Sequence, residues 1–265
     1  MQSQPASLTA SARAQPETVA LFVSDIHLQS GLPHTTQAFF DFLRAPAMQT
    51  RALYLLGDLF EYWAGDDDLA DEYNMSVAQR IRAVSDAGVA VYWIGGNRDF
   101  LIGDAFAQAA GLQLLPDPSV VSVANRRVTI THGDAQCTDD TGYMKFREEV
   151  RHPDWQQRFL SMPLAQRKAI IAGMRSGSRE AQRTKAYEIM DVNPSAIDAL
   201  FTGTGSDVLI HGHTHRPARH VDAGGRERYV LPDWDCDAAV RRGGWIGIND
   251  AGGILRYDID GRAVD

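Results

Sequence analysis

Aspartate, asparagine and histidine recur in this chain just where apolar runs stop. The run 208–210 (Val-Leu-Ile) ends at three histidines spaced two apart, His211, His213 and His215. The run 19–23 (Val-Ala-Leu-Phe-Val) ends at Ser24-Asp25-Ile26-His27, and 52–56 (Ala-Leu-Tyr-Leu-Leu) ends at Gly57-Asp58. The run 89–94 ends at Gly95-Gly96-Asn97-Arg98-Asp99, and 126–131 ends at His132-Gly133-Asp134. Taken alone, each has a bland reading as a capping carboxylate, a surface histidine or a turn. Together, Asp25/His27, Asp58, Asn97/Arg98, His132 and His213/His215 have no comparable structural explanation. Carboxylate, imidazole and amide oxygen without thiolate suit manganese, iron or zinc in a working site more than a structural zinc. Seven such ligands are too many for one transition metal and right for two that share a carboxylate. Asp58, the lone ligand at its strand, is the natural bridge. Two ions roughly 3.5–4 Å apart suit in-line displacement at phosphorus. A guanidinium such as Arg98 can fork onto a phosphate.

The elements that must position these residues are short and apolar throughout, the pattern of strands buried on both faces. Ligands in open α/β sheets collect at the carboxyl ends of such strands. Between them, 35–44 carries Phe39, Phe40 and Leu43 on one helical face, 73–87 reads as a helix closed by Gly88, and 106–110 ends a short helix. The acidic stretch 66–72 reads as a solvated loop and a helix start. Residues 119–124 and 126–131, joined at Asn125, read as a hairpin beside the parallel part. After His215, the runs 229–231, 245–248 and 254–257 lie between glycine pairs and read as antiparallel strands of a second sheet. From 139 to 203 there is no strand-like run. Residues 144–150, 154–161, 164–174 and 178–190 read as helices. Arg167, Lys168, Arg175, Arg179, Arg183 and Lys185 alternate there with Ile170, Ile171, Met174, Tyr187, Ile189 and Met190. This segment reads as an amphipathic lid over an anionic, greasy substrate, or as a packed helical hairpin with a charged face.

A chain of 265 residues is one large domain or one domain with an insertion, and 44% apolar residues suffice for a core. The net charge of −8 argues against a nucleic-acid binder. Two cysteines, Cys137 and Cys236, without paired spacing point to a reducing compartment and no disulfide framework. No apolar run approaches the ~18 residues that a membrane span needs. Residues 1–18 are rich in Ser, Ala, Gln and Pro and lack an apolar core segment, so they read as a disordered leader rather than a secretory signal.

Asp25-x-His27, Gly57-Asp58, Gly96-Asn97-Arg98-Asp99, His132 and Gly212-His213-Thr214-His215 resemble the five signatures of the calcineurin-like metallophosphoesterases, over residues 19–216. The strings 174–185, 189–194 and 211–217 further resemble the UDP-2,3-diacylglucosamine pyrophosphatases, a family that serves lipid A synthesis in Gram-negative bacteria and uses manganese. The resemblance implies an α/β fold, a four-layer αββα sandwich of two mixed sheets over 19–265, with a helical lid inserted at about 139–203. It implies two Mn²⁺ per chain, one held by Asp25, His27, Asp58 and His215, the other by Asp58, Asn97, His132 and His213. Substrate contacts carry over to Asn97, Arg98, Asp140, Ser178, Lys185 and His213, and to Gln182, which stands where some relatives have asparagine and keeps the amide with a longer reach. Arg98, Asp58, Asn97 and His132 form the implied catalytic set. His211 belongs to the string but not to the ligands, and is expected to orient a ligand or a phosphate from behind. The implied reaction is water attack on the α-phosphorus of UDP-2,3-diacylglucosamine, giving UMP and 2,3-diacylglucosamine 1-phosphate. The implied setting is the cytoplasmic face of the bacterial inner membrane, held peripherally, with no nucleic acid and no obligate protein partner. One alternative is a metallophosphoesterase acting on a soluble dinucleoside polyphosphate or phosphodiester. Another is a binding module without metals, against which every ligand position is filled.

Overall fold

Alternation along each apolar run splits its side chains between two cores, because successive residues of a strand point to opposite faces. In β1 (Thr18–Val23), β2 (Ala52–Leu55) and β3 (Ala90–Trp93), Leu21, Val23, Leu53, Leu55, Val91 and Trp93 face one core. Phe22, Tyr54 and Tyr92 face the other. Across the sheet those three rings stack at 4.8 and 4.9 Å between centroids. The computed structural model describes residues 16–184 and 191–264, the side chains of 176–184 excepted.

The remaining strands are β4 (Gln113–Leu114), β5 (Ser119–Val123), β6 (Arg126–Ile130), β7 (Val208–His211), β8 (Ala218–Val221), β9 (Glu227–Val230), β10 (Gly244–Asn249), β11 (Ile254–Asp258) and β12 (Ala263–Val264). One sheet runs β12-β11-β10-β1-β2-β3-β4 and the other β5-β6-β7-β9-β8. Strands β1, β2 and β3 are mutually parallel, as are β6, β7 and β9. The sheets meet face to face over Phe22, Val128, Ile130, Val208, Ile210 and Ile246.

Helices α1 (Pro33–Arg44), α2 (Glu72–Asp86) and α3 (Asp104–Ala110) cover the outer face of the larger sheet, through Phe39, Phe42, Val77, Ile81 and Phe106. Helix α7 (Pro194–Thr204) covers the smaller one, setting Ile197 and Phe201 against Leu209. The layers are therefore helix, sheet, sheet, helix, as expected. The helical segment before α7 holds α4 (Thr141–Arg151), α5 (Pro153–Leu160) and α6 (Leu164–Thr184).

Four readings of the sequence need correction. The strands after His215 do not form a sheet of their own: β8 and β9 extend the smaller sheet, with β9 parallel to β7, while β10 to β12 extend the larger one antiparallel to β1. Helix α6 runs through Gly177 without a break, so the interruption read at 175–177 is a tolerated glycine, at roughly 1 kcal/mol against alanine. Helix α7 was not anticipated, although Asn193 caps it, Pro194 opens it and Ile197, Leu200 and Phe201 have helical spacing. The acidic stretch 66–72 is not a solvated loop. Asp68 is buried and pairs with Lys168 at 2.5 Å, Asp67 pairs with Arg167, and Asp66 accepts the Gly103, Ala105 and Phe106 amides. Only its end behaves as read, with Asp71 capping α2.

Candidate metal centre

The carboxyl ends of β1, β2, β3, β6 and β7 converge at one edge of the sandwich, and every predicted ligand stands there. The backbone supports this convergence at a cost. Asp25, His27, Asp58, His213 and His215 have φ of 53°, 53°, 51°, 66° and 54°. Among the described residues the other non-glycines in this region are Ala124 and Asn125, in the turn from β5 to β6. Left-handed backbone in a residue with a side chain costs on the order of 1–3 kcal/mol, and persists where the surroundings over-determine it.

Here the loops interlock. The His27 amide donates to the Asp58 carbonyl at 3.0 Å and the His213 amide to the Asp25 carboxylate at 2.9 Å. Two glycines allow this closeness. A Cβ on Gly96 would lie 2.2 Å from the Asp58 amide nitrogen, and one on Gly212 would lie 2.2 Å from Asp25 Oδ2. Both make room for the neighbouring ligand loops.

The side chains form two adjoining clusters. His27 Nε2 lies 3.4 Å from His215 Nε2, and His215 Nε2 lies 3.5 Å from Asp25 Oδ1. That carboxylate oxygen is buried and has no hydrogen-bond partner. In the other cluster, Asn97 Oδ1 lies 3.0 Å from His132 Nε2 and 2.8 Å from His213 Nδ1. Asp58 stands between them. Its Oδ2 is 3.9 Å from His27 Nε2 and its Oδ1 is 3.7 Å from His132 Nε2. The trios Asp25/His27/His215 and Asp25/Asp58/His132 each bring their ligand atoms within 4.8 Å of one another. An orphaned buried carboxylate oxygen facing converging imidazoles fits divalent cations, which the donor chemistry already favoured.

Electrostatics agree. Burial alone would lower the His132 pKa, but the Asp58, Asp25 and Asp134 carboxylates outweigh it and push His132 up to about 9. Burial, reinforced by His132, brings His213 down to about 4. Burial would raise Asp25, yet the close approach of His215 and the surrounding imidazoles hold its carboxyl well below the usual range. A metal needs neutral imidazole, so cation uptake must displace the His132 proton. Against burial, nearby carboxylates push His215 up as well, so the expected result is that Mn²⁺ binding near pH 7 releases at least one proton per chain, and that affinity rises with pH until about 9. Calorimetric titration in buffers of different ionisation enthalpy measures this; binding without proton release would contradict it.

Residues 19–217 match the family model described as calcineurin-like phosphoesterase. The UDP-2,3-diacylglucosamine hydrolase of Aromatoleum aromaticum is 50% identical over 231 residues, 86% of this chain and 93% of that protein. The chain belongs to the UDP-2,3-diacylglucosamine hydrolase family of calcineurin-like phosphoesterases. The enzyme of that name from Cellvibrio japonicus is 48% identical, over 81% of this chain and 90% of its own. At the level of fold alone, Vps29 of Chaetomium thermophilum is similar, with a TM-score of 0.50, 11% identity and 92% of each chain covered. Enzymes of the wider family work with divalent metals, and the clusters above are where this member can hold them.

Several residues of the site escaped the sequence reading. Glu61 Oε2 sits 2.9 Å from His27 Nδ1, which turns Nε2 inward, and its other oxygen pairs with Arg175 of α6. Asp233 lies 3.6 Å from His215 Nδ1 and is itself held by Arg242 at 2.6 Å. Asp99, read in the sequence only as part of its string, accepts the amides of Leu59 at 2.7 Å and Gly96 at 3.0 Å, tying the Asp58 loop to the Asn97 loop. Glu61 was three residues from Asp58, but nothing in Leu-Phe-Glu-Tyr-Trp marks it. The Leu28–Phe60 bridge is what brings it beside His27. Outer partners of metal-bound histidines are worth roughly 10–100-fold in metal affinity. Glu61→Gln is therefore expected to weaken metal binding on the His27 side by about that factor, read by titration with Mn²⁺. Unchanged affinity would make Glu61 a mere anchor for α6.

The other predicted residues divide. The Arg98 amide donates to Asp58 Oδ1 at 2.8 Å, and its half-buried side chain keeps an Nε without a hydrogen-bond partner. Asp140 caps α4, accepting the Tyr143 amide at 3.0 Å. The side chains of Ser178 and Gln182, and Lys185 entirely, lie outside the described residues. His211 does not reach a ligand. It is fully buried, with Nε2 at 3.0 Å from Arg228 and Nδ1 at 2.9 Å from the Gly212 carbonyl. Burial and the Arg228 charge bring it down to about 3, so it is a neutral core residue. Part of the basic segment is also structural: Arg167 and Lys168 pair with Asp67 and Asp68, and Ile170 and Ile171 pack on the main core.

Proposed function

We propose that this chain hydrolyses the pyrophosphate of UDP-2,3-diacylglucosamine by water attack on the α-phosphorus, giving UMP and 2,3-diacylglucosamine 1-phosphate, with two Mn²⁺. The observation that carries the reading is Asp58, whose two carboxylate oxygens face His27 on one side and His132 on the other. Asp25, His27, Asp58 and His215 would hold one ion, and Asp58, Asn97, His132 and His213 the other. When bound, such a pair supplies Lewis acidity toward the phosphoryl oxygens and makes water nucleophilic near neutral pH.

The chain's own residues do the rest. Arg98, fixed through its backbone to Asp58, offers a guanidinium to the charge that builds on the phosphoryl group. Asp99 keeps the Asp58 and Asn97 loops in register, so that little reorganisation is needed as the reaction proceeds. Asp140, Ser178, Gln182, Lys185 and His213 would contact the substrate. Phe146, Leu160 and Met174 are 41%, 41% and 40% exposed along the helical segment, which suits acyl chains and a reversible seat on the inner leaflet, at the cytoplasmic face. Among the described residues no helix is long and apolar enough to cross a membrane.

The test is an assay of chelator-treated protein on UDP-2,3-diacylglucosamine in mixed micelles, with and without Mn²⁺, beside a soluble dinucleoside polyphosphate. Manganese-dependent release of UMP from the lipid substrate is expected. Faster cleavage of the soluble compound would replace the lipid reading, and full activity without added metal would remove the manganese one.

A further inference from the structure

Helix α4 reaches three loops that end in ligands of the same proposed half of the centre. Asp134 follows His132 by two residues and is wholly buried. Its Oδ2 accepts the Tyr143 hydroxyl at 2.6 Å and Arg147 Nε at 2.8 Å, with Arg151 Nη2 at 3.8 Å. That fixes α4 to the loop of His132. Arg151 also donates to the carbonyls of Gly95 at 3.3 Å and Gly96 at 2.9 Å, the residues just before Asn97. Its guanidinium lies over the Phe100 ring, 4.7 Å from the centroid. That fixes α4 to the loop of Asn97. Finally, the Tyr143 ring lies 6.0 Å from that of His213 at an interplanar angle of 29°. That fixes α4 to the ring of His213.

We propose that α4 is a positioning element, in which Asp134, Tyr143 and Arg151 hold His132, Asn97 and His213 in ligating geometry and so set the affinity of that half of the centre. The proposal rests on the two-ion reading above. Its physics is that of a jig. Asn97 Oδ1 must meet both His132 and His213, so a small drift of the Gly95–Gly96 backbone spoils two contacts together. A guanidinium suits the task because one planar group can donate to two carbonyls while stacking on an aromatic ring. The Tyr143 hydroxyl, anchored on Asp134, keeps its ring from leaving His213.

The experiment titrates the full chain with Co²⁺, whose absorption reports its ligands, alongside equilibrium dialysis to count ions. Wild-type protein should bind two ions. Arg151→Met should weaken one binding step by roughly 10–100-fold and leave the other within about twofold. Arg151→Lys, which keeps a donor but not the stack, should recover part of the loss. Tyr143→Phe should alter the cobalt spectrum of the same step. Glu61→Gln should weaken the opposite step, so that the double variant adds the two losses. Near-UV circular dichroism checks that each variant is folded; if Arg151→Met is not, the two milder variants carry the test. Wild-type affinity at both steps, or equal weakening of both in a folded variant, would overturn the proposal. A wild-type chain that takes up fewer than two ions would overturn the two-ion reading itself, and would be seen before any variant is measured.

Discussion

Asp58→Ala is expected to lose at least one ion per chain and nearly all turnover. Asp58 is buried, and its two oxygens lie 3.9 Å from His27 Nε2 and 3.7 Å from His132 Nε2, one on each side. Alanine leaves the two clusters without a shared carboxylate, and removes the acceptor that fixes the Arg98 amide. A fall of on the order of 10³-fold or more in kcat follows, about 4 kcal/mol at 1.4 kcal/mol per decade. Asp58→Asn keeps the shape and the hydrogen bond but not the charge, and should lie between the two. Elemental analysis of metal per chain and initial rates measure both effects on one preparation. A variant with two ions and a near-normal rate would end the bridging role.

Arg98→Ala should separate rate from metal. The contact of Arg98 with Asp58 runs through the backbone amide, which alanine keeps, so both ions should stay. Removing a donor aimed at developing charge costs roughly 10²–10³ in kcat. The loss should appear in kcat more than in KM, the mark of an interaction made in the transition state. Arg98→Lys keeps the charge without the fork and should recover only part of the rate. Full metal with unchanged kcat would reduce Arg98 to a structural residue.

By itself the sequence determined the central strands of the sandwich and which residues stand at their carboxyl ends. Both are local properties. A run such as 52–56 is buried on both faces because all its side chains are apolar, and it must stop where Gly57-Asp58 turns the chain. Each ligand directly follows such a run, so its place at a strand end needed no knowledge of tertiary contacts.

Only the tertiary structure decided which sheet each late strand joins. An alternating pattern specifies a buried face but not a partner. The free edge of β1 took β10, and the edge of β7 took β9, where Tyr229 completes the core between the sheets. The supporting groups were hidden for the same reason. Glu61 and Arg151 lie far along the chain from His27 and from Gly95 and Gly96, and a lone carboxylate or arginine carries no mark of its partner. The basic helix α6 shows the converse. Its charges suggested a phosphate clamp, yet Arg167 and Lys168 are spent on Asp67 and Asp68, because two segments a hundred residues apart fold against each other. Composition counts charges; only packing decides which of them face one another.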